Sequence, residues 1–228
     1  MKKGTILIII SLILIFCVIS AGCTKALKTK AIVKSAENIE RRADSADKKI
    51  AQNFSQAMDY TNPTTRDFAL KIIPKSHSGK YSISQVCDIW DYVNSRWTYV
   101  NDPNGLDYRS PASRTINIGL KGDCDDFAVL IASLTESIGG SSRIVRVTGH
   151  AYPEVYLSDD KEKVHDRTNY ISKRYNGKTI HYHTEKDSEG VTRYWLNLDR
   201  SANYPGGPFN EADMKMIIYP DGTYKKYD

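Results

Sequence analysis

The chain has 228 residues, 40% of them hydrophobic, and a formal net charge of +5 at pH 7. This length is sufficient for one domain with a sizeable core. The positive charge is too small and too dispersed to indicate a nucleic-acid-binding protein, so no nucleic-acid partner is expected.

The first residues have the layout of a secretory signal. Two lysines precede an apolar run from Ile6 to Ile19, and small residues then lead to Cys23. The letters "SAGC" around this cysteine resemble a lipobox, the site at which a lipoprotein signal is cut before a cysteine that carries lipid. We therefore expect removal of residues 1–22, a net charge of +3 once the two lysines have left, lipidation of Cys23 and an extracytoplasmic, membrane-anchored location. An uncleaved transmembrane anchor and simple secretion are the alternatives.

A charged helix is expected over residues 23–60, as a stalk or as a packing helix. Residues 24–60 contain neither Gly nor Pro, and Ile and Ala recur at helical spacing between Ile32 and Ile50. This narrow apolar seam fits a helix that either packs on the following domain or stands it off the membrane. The letters "TNP" end the helix, so the main domain is predicted over residues 61–228.

Two further helices follow. Ser82 and Gln85 form a capping box before a helix predicted over Ile83–Arg96, and Cys87 lies in its inward stripe as a core residue. A third helix is predicted to begin at Cys124, with the preceding aspartate as its N-cap. Because this helix is apolar on most sides and stops at paired glycines, we expect it to be buried.

Strands dominate the rest of the chain. "SRIVRVTG" alternates as a strand does, and "HAYPEVYL" is a second candidate strand, whose Pro153 favours an edge position or a bulge. A polar insertion covers residues 158–177. Two hairpins follow, one made of "KTIHYH" and "VTRYWLNLD" and one made of "MKMIIYPDGTYKKYD". Helices first and an antiparallel sheet after them predict an α+β fold.

Cys124 is the candidate nucleophile. The thiolate is the reactive form of cysteine, and a helix N-terminus favours an anion, whereas the nearby carboxylates of Asp123, Asp125 and Asp126 disfavour one. The site therefore needs a cationic partner such as an imidazolium. Among the five histidines, His150 alone opens an apolar strand, which a helix, a turn and a strand would return to the helix start.

Asp199 is the candidate for the third group, which orients the imidazole. It ends the strand "YWLNLD" on the same face as Trp195 and Asn197. Trp97, at the end of the second predicted helix, could assist an oxyanion or belong to the core.

Three stretches resemble the transglutaminase-like domain of the papain-like fold: "GDCDDFAVLIASLTESIGGSSRIVRV", "HAYPEVYL" and "YWLNLD". That family presents a cysteine at a helix N-terminus, then a histidine that opens a strand, then an aspartate that ends the next core strand. The resemblance covers about residues 83–199. It implies N-terminal helices packed on an antiparallel sheet, with Cys124 as nucleophile, His150 as general base and acid, and Asp199 as orienter.

The resemblance also implies an enzyme that acts on amide bonds through a thioester. We favour hydrolysis by a peptidase or amidase, because hydrolysis needs only solvent access, whereas transamidation needs a dry channel for the amine. A protein-crosslinking transglutaminase is the alternative within the family. A non-catalytic binding module of the cell envelope, on the same fold, is the alternative of another class. Tyr152 stands where tryptophan is usual in the family's histidine motif.

The cysteines and histidines also have possible roles other than catalysis. An oxidising compartment would allow a Cys87–Cys124 disulfide or a redox role for these thiols. His181 and His183 share a strand face, with His165 nearby, but a solvated hairpin face is expected there rather than a metal site. We therefore expect no cofactor and no metal, a protein or peptide substrate in the cell envelope, and a monomer.

Overall fold

The computed structural model describes residues 34, 41–103, 108–210 and 212–227. The chain divides into two compact units, Met1–Lys49 and Ile50–Asp228. The described residues of the first unit, 34 and 41–49, are helical. The predicted signal segment and Cys23 lie outside the described residues. In the described part, no helix is both long and apolar enough to cross a membrane.

The second unit contains six helices among its described residues. Residues 50–57 are helical and form α1. The others are α2 (Pro63–Ile72), α3 (Ile83–Arg96), α4 (Ala112–Asn117), α5 (Cys124–Ser137) and α6 (Lys161–Arg174), with short 3₁₀ turns at Lys75–His77 and Arg200–Ala202. The two helices predicted after the charged segment are therefore confirmed as α3, with the expected capping box, and α5, with the expected N-cap.

Two sheets are present in the described part of this unit. A small parallel pair joins β1 (Thr98–Tyr99) to β2 (Lys121–Gly122). The main sheet is antiparallel and has the order β5-β6-β4-β3-β7-β8, with these bounds: β3 Ser142–Val147, β4 His150–Ser158, β5 Tyr182–Lys186, β6 Thr192–Asn197, β7 Met214–Ile218, β8 Tyr224–Lys226. Both predicted hairpins pair as expected, and the α+β fold is confirmed.

Helix α5 lies at the centre of the core. Its residues from Phe127 to Leu134 are at most 2% exposed. It contacts α2, α3 and α4 as well as β3 and β4, so apolar side chains are stabilising on every side of it. This packing explains why the helix shows no single apolar stripe, and it fixes the N-terminal end of α5 close to the sheet.

Pro153 lies neither in an edge strand nor at a bulge, which corrects the expectation of one or the other, since the register shift between β4 and β6 falls between Tyr156 and Ser158. It lies in β4, an inner strand between β3 and β6. The carbonyl of Pro153 accepts a hydrogen bond from Leu198 N, beyond the point where the β6 ladder ends at Asn197. The N–H and carbonyl of one strand residue point to the same side. The N–H that proline lacks would therefore face Leu198, which lies beyond the end of the β6 ladder. The proline thus removes no hydrogen bond from the ladder.

The segment 158–177, expected as a polar insertion, contains α6. Asp160 caps this helix by accepting from the amides of Glu162 and Lys163. Only Val164 and Ile171 are buried, on the side that packs against α3 and β4. Near its end, Arg174 forms ion pairs of 2.8 Å and 2.7 Å with two aspartates of α3, Asp88 and Asp91. The segment is thus a helix fastened to the domain by buried contacts and ion pairs.

Charged residues occupy the sheet face that points away from α5. Arg143 is 1% exposed and pairs with Glu154 at 2.7 Å and with Glu185 at 2.6 Å. His183 Nδ1 lies 2.5 Å from Glu154, and its ring stacks on Phe209 at 3.8 Å. His183 is therefore part of this ionic network. No group of three or more potential ligands able to hold a metal is found among the described residues.

Candidate active site

The start of α5 is fixed by a reciprocal cap. The Asp123 carboxylate accepts from the amides of Asp125, at 3.0 Å, and Asp126, at 3.4 Å. In return, the Asp126 carboxylate accepts from Asp123 N at 3.3 Å. Together these bonds place Cys124 at the first position of the helix, where its thiol faces the positive end of the helix dipole.

Gly122 is required by close packing at this point. A Cβ at position 122 would lie 2.1 Å from Asp126 Oδ2 and 2.5 Å from Asp126 Cβ. The Asp126 carboxylate is also held by Ser110 N, at 2.7 Å. Burial raises the pKa of Asp126 to about 6, against the opposing effect of the Ser110 hydrogen bond. The glycine before the cysteine therefore makes room for a buried carboxyl group.

The carboxylates around Cys124 do not act as three free charges. Asp123 and Asp126 bind backbone amides, as described above. Asp125 Oδ2 pairs with Arg109 at 3.0 Å, and the Arg109 side chain is only 3% exposed. Asp125 Oδ1 lies 3.8 Å from Cys124 Sγ. The repulsion expected from the sequence is thus reduced by the helix amides and by a buried guanidinium.

His150 connects Cys124 to Asp199. His150 Nε2 lies 2.9 Å from Asp199 Oδ2, and the Asp199 side chain is 1% exposed. Cys124 is close enough to act on the same ring, since its side chain also raises the pKa of His150. Burial acts to lower the pKa of His150, but the hydrogen bonds and negative charges of Asp199 and Cys124 outweigh it and raise this pKa to about 10. This arrangement stabilises an imidazolium next to the sulfur.

Neighbouring strands bring these two residues together. His150 is the first residue of β4, and Asp199 follows β6, which pairs with β4. Asp199 Oδ1 accepts from Ser201 N at 2.9 Å, so each oxygen of this carboxylate has a partner. The sequence prediction that a histidine at a strand start meets an aspartate at a strand end therefore agrees with the geometry.

Asn197 has a positioning role that the sequence did not reveal. Its Oδ1 accepts from Asp199 N at 2.9 Å. Its Nδ2 donates to the carbonyls of Gly207, at 2.9 Å, and Pro208, at 3.1 Å. On the other side, Trp90 Nε1 donates to Leu198 O at 3.0 Å. The backbone that carries Asp199 is thus held by two buried side chains. The only sequence sign was that Asn197 shares a strand face with Asp199.

A cavity of about 90 Å³ opens at the junction of these elements. Both Cys124 and His150 are partly exposed. Tyr99, which is 52% exposed, reaches the cavity because β1 pairs it with Gly122. The lining residues are Tyr99, Asp123, Cys124, Phe127, His150, Ala151, Asp199, Arg200 and Ser201. Arg200 was not singled out by sequence reasoning.

The remaining sequence candidates lie elsewhere. Cys87 and Cys124 are both free thiols, so the structure contains no disulfide between them. Cys87 is fully buried in the core, and burial raises its pKa to about 12. Trp97 is 8% exposed and packs edge-on against Phe127 at 5.2 Å. It therefore belongs to the wall behind the cavity. The structure brings together Cys124, His150 and Asp199, and leaves Cys87 apart.

A comparison with protein families matches part of this region. Residues 66–170, which include Cys124 and His150, match the profile of the transglutaminase-like superfamily. No curated protein matches the chain. One solved structure, "a Putative Cysteine Protease from Cytophaga hutchinsonii", is 18% identical with a TM-score of 0.39, and the match covers 65% of this chain and 39% of that one. Over residues 66–170, the chain is therefore similar to the transglutaminase-like superfamily.

Proposed function

We propose that the protein is a cysteine enzyme that hydrolyses amide bonds through a thioester, as a peptidase or amidase. The observation that carries the proposal is that Cys124, His150 and Asp199 line one cavity, with His150 hydrogen-bonded to Asp199. It supplies a nucleophile, a group that moves protons and a group that orients it, beside a cavity that a reacting amide can reach.

The first half-reaction forms the thioester. The Cys124 thiolate attacks the amide carbonyl carbon, and the carbonyl oxygen becomes an oxyanion. The His150 imidazolium then gives its proton to the departing nitrogen, the C–N bond breaks and an amine leaves. Asp199 holds the ring through Nε2, which leaves the other ring nitrogen to exchange the proton.

The oxyanion needs a donor, and the amide of Cys124 is the nearest candidate. The Asp123 carboxylate already binds the amides of Asp125 and Asp126, and the Asp123 carbonyl binds Phe127 N. No described residue accepts a hydrogen bond from the Cys124 amide. A free amide at the first helical position can stabilise an oxyanion that forms beside Sγ.

The second half-reaction resolves the thioester. Neutral His150 takes a proton from water, the hydroxide attacks the acyl carbon, and the C–S bond breaks to give a carboxylic acid and the thiolate. Water is favoured over an amine acceptor because Cys124 and His150 are both open to solvent. A crosslinking transglutaminase would follow the same first step and differ only in the attacking group.

The proposed setting is the outer side of a membrane, with protein or peptide substrates of the cell envelope. This part of the proposal rests on the signal layout and on the lipobox-like residues before Cys23. A secretory signal would deliver the domain across the membrane, and a lipid on Cys23 would keep it at the surface.

A peptide library in H₂¹⁸O tests the chemistry. The wild-type protein and its Cys124→Ala variant would be incubated with a proteome-derived peptide library, with and without an added primary amine such as monodansylcadaverine. Hydrolysis predicts new carboxyl groups that contain ¹⁸O and depend on Cys124. Amine adducts in place of ¹⁸O would identify a crosslinking enzyme. Peptides retained without any Cys124-dependent chemistry would favour a non-catalytic binding module and contradict the proposal.

A further inference from the structure

Arg200 places an unneutralised positive charge in the wall of the active-site cavity. It follows Asp199 directly and begins the 3₁₀ turn Arg200–Ala202. It lines the same cavity as Cys124 and His150. Its charge also acts on Tyr99, whose pKa is raised by burial and by the nearby negative groups but lowered by Arg200. The charge of Arg200 therefore acts on at least one other residue of the cavity wall.

Within the described part of the chain, the Arg200 side chain has no hydrogen-bond or ion-pair partner. Its Nε is buried and unpaired. A buried donor without an acceptor is costly, and guanidinium groups are commonly matched by carboxylates. A cavity-lining arginine that no protein acceptor engages is therefore suited to bind an acceptor on a substrate.

The neighbouring carboxylates do not fill that position. Asp199 uses one oxygen for His150 and the other for Ser201 N. Asp125 pairs with Arg109. Asp123 accepts from two amides of α5, and the cation that acts on it is Arg109. Each carboxylate near the cavity is therefore engaged by another group, and Arg200 remains available.

We propose that Arg200 is a carboxylate-binding residue of this cleft, and that the preferred substrate carries a carboxylate close to the amide that Cys124 attacks. The inference rests on the proposed function, since it specifies a substrate class for the same site. The carboxylate can be the side chain of an acidic residue or the free carboxyl group of a peptide end. An arginine fork recognises both with paired hydrogen bonds.

Three alkylating probes of nearly equal size can measure this preference at Cys124. Iodoacetyl-glutamine amide is neutral, iodoacetyl-glutamate amide carries a side-chain carboxylate, and iodoacetyl-glutamine with a free carboxyl group carries a terminal one. The second-order rate constant for modification of Cys124 is read by peptide mass spectrometry. We expect at least one carboxylate probe to react roughly tenfold faster than the neutral probe, which corresponds to about 1.4 kcal/mol. The faster of the two identifies the source of the carboxylate.

Variants attribute the preference to Arg200. In Arg200→Gln the rate ratio should fall to about one, and Arg200→Lys should retain part of it because the charge remains. Arg193→Gln is the matched control. It makes the same change of charge near the other end of β6, where Arg193 pairs with Asp187 on the surface, and it should keep the wild-type ratio. Melting curves establish that each variant is folded.

The inference is overturned if the neutral probe reacts as fast as both carboxylate probes in the wild-type protein. It is equally overturned if the preference survives in Arg200→Gln. These outcomes are separate from those of the ¹⁸O experiment. The ratio of the carboxylate-probe rate to the neutral-probe rate can be measured even if Cys124 reacts slowly and the protein hydrolyses no amide. A preserved ratio without Cys124-dependent hydrolysis would contradict the proposed chemistry and leave the carboxylate site standing.

Discussion

At the scale of single residues, Asp199 is the group whose removal should be most informative. In Asp199→Asn we expect amide hydrolysis to fall by roughly 10³- to 10⁴-fold, because the amide can hold the wrong tautomer of His150 and does not stabilise the imidazolium. Rates would be compared on any amide that the wild-type protein accepts. Asp166→Asn is the control, because it makes the same substitution at an exposed position of α6, and it should leave the rate unchanged. A near-wild-type rate in Asp199→Asn would contradict the assignment.

The same residue pair sets the expected pH dependence. The pKa of His150 is raised from 6.5 to about 10, so its protonated form stabilises the folded protein fully below pH 6.5, and this contribution is lost as the pH rises through about 10. Acylation needs the imidazolium, so the rate should fall along the same alkaline limb. In Asp199→Asn the limb should move towards neutral pH, because the carboxylate that holds the proton is gone. A limb at the same pH in both proteins would show that Asp199 does not act on His150.

Asn197 should matter more for stability than for chemistry. Asn197→Ala leaves the Asp199 amide and the carbonyls of Gly207 and Pro208 without their buried partner. We expect a loss of at least about 2 kcal/mol in the free energy of unfolding, measured by denaturant titration. Asn169→Ala, at an exposed position of α6, is the control. Activity should fall less than in Asp199→Asn. The opposite ranking, with Asn197→Ala inactive and Asp199→Asn active, would make the amide the orienter.

How far the sequence predicts this site depends on the residue. Cys124 and His150 could be placed because a helix start and a strand start both have local sequence signs. Asp199 followed from the strand that it ends. Arg200 could not be recognised, because its unpaired state depends on which carboxylates the fold gives to other partners. No local sequence pattern predicts which carboxylates pair with other groups.

At the scale of elements, the first turn of α5 depends on Gly122. Gly122→Ala would put a methyl group 2.1 Å from Asp126 Oδ2, so the helix start must shift. We expect a loss of about 1–3 kcal/mol in stability and slower alkylation of Cys124. Gly190→Ala is the control, since its Cβ would meet nothing within 4 Å, although its φ of +81° still adds strain. Cys124 should react normally in that variant. Unchanged reactivity in Gly122→Ala would count against a rigid helix start.

Elements differed in how well the sequence predicted them. The capping box of α3 and the N-cap aspartate of α5 gave correct starts because both signals are local. Helix α6 was missed, since only Val164 and Ile171 are buried and the rest of its surface is polar. Pro153 was misplaced because its effect depends on which neighbour the missing N–H would face. The order of strands in the sheet determines that neighbour, and local sequence patterns do not predict strand order.

At the scale of the whole molecule, the proposed location depends on Cys23. We expect the mature protein to begin at a lipid-bearing Cys23, and Cys23→Ser to accumulate as the unprocessed precursor. Intact-mass analysis of the membrane fraction measures both. Cys17→Ser is the matched control, because it changes a cysteine inside the apolar run and should leave processing intact. A wild-type protein that keeps Met1 and carries no lipid would support the uncleaved anchor instead.

The central claim is that Cys124 is an activated nucleophile paired with His150, and its alkylation rate at pH 6 tests that claim most directly. A free thiol such as that of glutathione is almost fully protonated at this pH, since its pKa is near 8.5. We predict that iodoacetamide modifies Cys124 at least about tenfold faster than glutathione, and that His150→Ala removes the advantage. A Cys124 rate equal to that of glutathione, or one unaffected by His150→Ala, would contradict the account.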